Sequence, residues 1–105
     1  MDPIYLDSNE IHRLRRKGLK VYIFTFGHGQ EHAGHCQIIM ADGWLEARRL
    51  MFEHHKDKWS FQYTEEEWRN LFTPDPMFYV PETPLEYIVV QSGTTWVKIR
   101  REYHG

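Results

Sequence analysis

The spacing of apolar residues changes several times along the chain, and each change predicts an element. Leu19-Lys20-Val21-Tyr22-Ile23-Phe24-Thr25-Phe26 is rich in β-branched and aromatic residues and stops at Gly27, which reads as a strand. Cys36-Gln37-Ile38-Ile39-Met40-Ala41 reads as a second. The short connection between them predicts an antiparallel hairpin with an enlarged loop. Trp44, Ala47, Leu50 and Met51 recur at three and four, the period of one buried helical face. They place a helix from about Gly43 to His55, with Asp42 as its cap. Trp59-Ser60-Phe61-Gln62-Tyr63 then alternates aromatic and polar residues, a half-buried strand.

Punctuation residues supply the remaining boundaries. Thr64-Glu65-Glu66-Glu67 is a capping box opening a short helix with Trp68, Leu71 and Phe72, which Thr73-Pro74-Asp75-Pro76 ends. Leu85–Gln91 and Thr95–Arg100 flank Ser92-Gly93-Thr94, a hairpin with glycine at the turn. Near the start, Asp7 or Ser8 caps a helix that carries Ile11 and Leu14 and ends at Gly18. The whole predicts an α+β fold: a mainly antiparallel sheet of two hairpins plus a central strand, with two to three short helices packed on one face. One domain over 1–105 is expected, with an N-terminal helix or arm (1–18), a β-β-α-β-α core (19–72), a Pro-rich crossing (73–84) and a C-terminal hairpin (85–102).

Composition narrows the function classes. The 105 residues are 41% hydrophobic and 27% charged, the balance of an ordinary globular protein, while 15% aromatic content is high. Rings in that number either fill a core or line a binding surface. A formal charge of −2 argues against nucleic acid, which calls for a basic excess. A lone cysteine excludes an intramolecular disulfide framework. No apolar stretch approaches the roughly 18 residues of a membrane span, and no secretory leader is recognisable, so a cytoplasmic location is expected.

Candidate chemistry concentrates in Phe24–Cys36, which holds three of the seven histidines, three of the seven glycines and the cysteine. His28, His32 and His35 are a zinc candidate, with Glu31 or Cys36 as a fourth group, because three protein ligands and an open position make a catalytic site. H-E-x-x-H is absent, however, and Cys36 belongs to a strand. Gly27, Gly29 and Gly34 instead suit backbone contact with an anion, although neither the P-loop nor the dinucleotide spacing is present. A flexible hairpin loop without a ligand accounts for the same residues. Arg48 can add charge, and Tyr22 or Tyr63 can stack on a base. No nucleophile elbow, spaced Cys–His pair or isolated carboxylate pair supports an enzyme.

Thr25-Phe26-Gly27-x-x-x-x-His32, Glu46-Ala47-Arg48-x-x-Met51-Phe52 and Lys58-Trp59-Ser60-Phe61-Gln62-Tyr63-Thr64-Glu65-Glu66-Glu67-Trp68 together resemble small accessory proteins of tailed phages and prophages. The resemblance covers about residues 20 to 70 and brings no catalytic motif. It implies a counter-defence role in the host bacterial cytoplasm, by sequestering a nucleotide second messenger or by inhibiting a host defence protein. The expectation is a non-enzymatic binding protein without a cofactor, whose phosphate-bearing ligand meets Tyr22, Gly27, His28, Gly29, His32, His35, Arg48 and Tyr63. The alternatives are a protein–protein inhibitor and a hydrolase with a metal on His28, His32 and His35. A sponge of this size can build its pocket between subunits, which would make it a homo-oligomer.

Overall fold

The computed structural model of the protein describes residues 8–71 and 83–100. The predicted cap at Asp7, the crossing from 73 to 82 and the hairpin's residues after Arg100 lie outside the described residues. The described elements are α1 (Ser8–Arg16), β1 (Lys20–Thr25), β2 (His35–Ala41), α2 (Trp44–His55), β3 (Phe61–Thr64), α3 (Glu65–Leu71), β4 (Thr83–Pro84), β5 (Tyr87–Ser92) and β6 (Thr95–Arg100). They form an α+β fold around one sheet in the order β3-β1-β2-β5-β6, with the two-residue β4 also on β2. The β1–β2, β1–β3 and β5–β6 pairs are antiparallel, while β4 and β5 both run parallel to β2. Both predicted hairpins form. The predicted strand at Trp59–Tyr63 forms over Phe61–Thr64 as β3, which lies at the sheet edge and joins only β1 among the described residues.

The helices do not share one face of the sheet. Leu14 of α1 and Trp68 of α3 pack with Val21, Ile23, Cys36, Ile38, Met40, Ile88 and Val90 on one side. Ala47, Leu50 and Met51 of α2 pack with Tyr22, Phe24, Phe26, Ile39, Ala41 and Val89 on the other. Successive strand residues point to opposite faces. After Lys20 every residue of β1 is buried, and after His35 every residue of β2 is buried. Strands apolar at consecutive positions must be covered on both sides, and splitting the helices between the faces achieves this. Among the described residues no helix is long and apolar enough to cross a membrane.

Local chemistry sets the element ends. Gly18 N–H donates to Arg15 O (2.9 Å) and Leu19 N–H to Leu14 O (3.2 Å), a Schellman closure of α1. The capping box of α3 forms in both directions: Glu67 N–H donates to Thr64 Oγ1 (3.1 Å) and Thr64 N–H to Glu67 Oε1 (2.9 Å). Asp42 does not cap α2. Gly43 holds that position without a side-chain bond, and Asp42 meets Gln91 of β5, whose Oε1 accepts from its N–H at 3.0 Å.

Candidate functional site

The β1–β2 loop is a chain of turns closed by its own groups. Gln30 N–H donates to Gly27 O, Ala33 N–H to Gln30 O and His35 N–H to His32 O, each at 3.0 Å. Gly29 and Gly34 have φ of +86° and +87°, so their glycine identity follows from the left-handed turns they make. Gly27 N–H donates to Oε1 of Gln30, which Ser60 Oγ also approaches at 3.3 Å. A Cβ at Gly27 would stand 2.5 Å from Ser60 Oγ. The Gly27 amide is therefore already engaged, and this glycine admits the chain beside Ser60.

The loop's histidines separate. His28 and His35 are exposed, whereas His32 turns inward onto Phe26, ring centres 5.2 Å apart. Beside it stands His55, 5.2 Å from both Phe26 and His32, and then His54, 4.5 Å from His55. His54 lies 5.3 Å from Trp96 of β6. The three half-buried imidazoles thus form a continuous patch, with Phe26 at its base and Trp96 at its far end. Among the described residues no three His, Cys, Asp or Glu side chains are placed to hold a metal ion, so His28, His32 and His35 do not converge as a ligand set.

One buried polar side chain anchors this patch. Gln37, 1% exposed within β2, donates its amide N–H groups to Ile38 O (3.0 Å) and Tyr87 O (2.9 Å). Its Oε1 lies 3.0 Å from Nε2 of His55. Burial, reinforced by His54, His32 and Lys98, lowers the pKa of His55 to about 4. Burial also lowers that of His54, with Lys98 and His32 adding to it. Among the described residues, the charges that lower the His54 and His55 values come from Lys98 and from neighbouring histidines. The electrostatic surroundings of these two rings are therefore positive in sign.

No family model, curated protein or solved structure matches this chain. The site therefore stands on its geometry alone.

The other expected site residues lie elsewhere. Arg48 covers the Trp59 ring at 5.1 Å, and Trp59 meets Phe24 edge-on at 5.2 Å. Tyr22 is buried against Trp44 on the α2 side, and burial raises its pKa with help from Asp42. Tyr63 packs on Trp68 on the opposite side, so the two tyrosines cannot stack on one base. A groove of about 540 Å³ does open at the other end of β1, lined by Arg15, Lys20, Tyr22, Glu65 and Arg69 among others. Two of its cations are already engaged, because Arg15 and Arg69 both bind Glu65 (each 2.6 Å). Sequence reasoning did not select Gln37, His54, His55, Trp96 and Lys98. Two signals pointed to three of them: His54 and His55 continue the buried α2 stripe by three and four from Met51, and Gln37 interrupts an apolar strand.

Proposed function

We propose that the protein is a non-enzymatic binding protein that captures a small phosphate-bearing ligand, such as a nucleotide signal, at the His32–His54–His55 patch. The observation that carries this reading is the packing of the three imidazoles on one another, with Lys98 among the positive charges that act on His54 and His55. Lys98 would hold phosphate, His32 and His54 would donate to it, and Trp96 would offer a ring to a base. Binding without turnover is supported by the placement of Cys36, buried on the opposite face and so unable to serve the histidines as a nucleophile. With the resemblance to phage accessory proteins, the role would be sequestration of a host signal in the bacterial cytoplasm.

A second reading has its own observation. Leu45 (78% exposed) and Phe52 (56% exposed) stand two turns apart on the outer side of α2, with Arg48 between them. That stripe suits an inhibitory contact with a host defence protein. Calorimetric titration with a panel of cyclic and linear nucleotides separates the readings. Saturable binding is expected, weakened about tenfold or more by Lys98→Ala and unchanged by Leu45→Arg. No binding across the panel, together with capture of a protein partner that Leu45→Arg abolishes, would replace the first reading with the second.

A further inference from the structure

We propose that anion capture at the histidine patch is coupled to uptake of one proton by His55, at Nδ1, with Gln37 as the positioning residue that selects that nitrogen. This rests on the ligand reading above and adds its regulation. The argument begins at the Gln37 amide. Both of its N–H donors are used on carbonyl oxygens, Ile38 O and Tyr87 O, which can only accept. Flipping the amide would set oxygen against oxygen at both positions, so Oε1 must face His55. The facing atom, Nε2 of His55, then has to carry hydrogen, because Oε1 can only accept. Neutral His55 is fixed as the Nε2–H tautomer, and its one lone pair is on Nδ1.

Protonation at Nδ1 therefore leaves the Gln37 bond intact and adds a second donor to the ring. What opposes it is burial and the surrounding positive charge. Among the described residues, His55 meets Phe26 after β1, His32 of the loop, His54 on α2 and Gln37 on β2, while Gln37 reaches Tyr87 O on β5, His54 meets Trp96 on β6, and Lys98 of β6 adds positive charge. Arg100, on the Lys98 side of β6, is bound to Glu86 at 2.7 Å. An anion beside Lys98 and His54 converts the opposing field into an attractive one. The balance is simple: a solvent proton bonds to the Nδ1 lone pair, giving an imidazolium whose charge the anion compensates, and no other bond changes. The position of both histidines in the last turn of α2, where helix carbonyls favour cations, acts in the same direction.

Sulfate and 3′,5′-cyclic AMP are suitable probes, because neither titrates near neutral pH. Calorimetry of the full chain in two buffers of different ionisation enthalpy should show uptake of about one proton, with affinity tightening up to about tenfold per pH unit from about pH 8 to about pH 6. Binding with equal heats in both buffers and a flat pH profile overturns the coupling while leaving the ligand reading intact. Failure of both anions to bind at any pH overturns both. Nitrogen NMR of the wild-type imidazoles is an independent check: hydrogen on Nε2 of His55 is expected, and hydrogen on Nδ1 overturns the role of Gln37. In Gln37→Leu the imidazolium loses its acceptor, so the pH profile should flatten while Lys98-dependent binding persists. An unchanged profile in a folded variant removes Gln37 from the coupling.

Discussion

Gln30 organises the β1–β2 loop through a single oxygen. Its Oε1 accepts from Gly27 N–H and receives Ser60 Oγ, so it ties the loop's first turn to the segment leading into β3. Gln30→Leu should cost about 1 kcal/mol, the usual net worth of such a bond, with the fold retained. Urea unfolding measures that loss, and amide exchange at Gly27 should accelerate; unchanged exchange would show that the amide does not depend on Gln30. The density of glycine and histidine in Phe24–Cys36 did mark a loop, and in His32 it marked one member of the candidate site. It could not show which amides remain available, because that depends on Ser60, 30 residues further on. Nor could it show that His54 and His55, two turns of sequence beyond Trp44–Ala47, come to lie against the same loop. Pairing within three or four residues is legible in a sequence; convergence of distant segments is decided by the tertiary fold.

At the level of elements, the most local signals were the most reliable. The box at Thr64 and Glu67 uses only atoms three residues apart, and it forms as the sequence indicates. Thr64→Ala should therefore cost about 1 kcal/mol in thermal or urea unfolding, since it leaves Glu67 N–H without its acceptor. A result below a few tenths would mean that packing of Trp68 alone sets the start of α3. The cap at Asp42 illustrates the opposite case. Its side chain has a competing partner in Gln91, 49 residues away, which no local pattern reveals. The same limit explains the helix faces. Consecutive apolar residues in β1 and β2 do indicate burial on both sides, but the capping and periodicity of each helix carry no record of which side it covers.

For the molecule as a whole, the histidine patch ties stability to pH. His55 has its pKa lowered from an ordinary value of 6.5 to about 4, first by burial and then by its cationic neighbours, and His54 is lowered in the same sense. The unfolded chain therefore binds more protons than the folded one between those two values, and stability rises with pH through that window. The contribution is fully present above the unfolded value and is lost as pH falls toward the folded one. Because the rings are only half-buried, solvent screening reduces the effect to on the order of 1–2 kcal/mol for His55. Urea midpoints at neutral pH and near pH 5 should differ accordingly, and His55→Gln, which can still donate to Gln37 but does not titrate, should remove most of the difference. A midpoint that is flat in the wild type would mean that the rings relax into solvent when charged. Saturating sulfate should also blunt the acid loss if the patch takes an anion, because the bound charge stabilises the folded imidazolium that acid would otherwise force out.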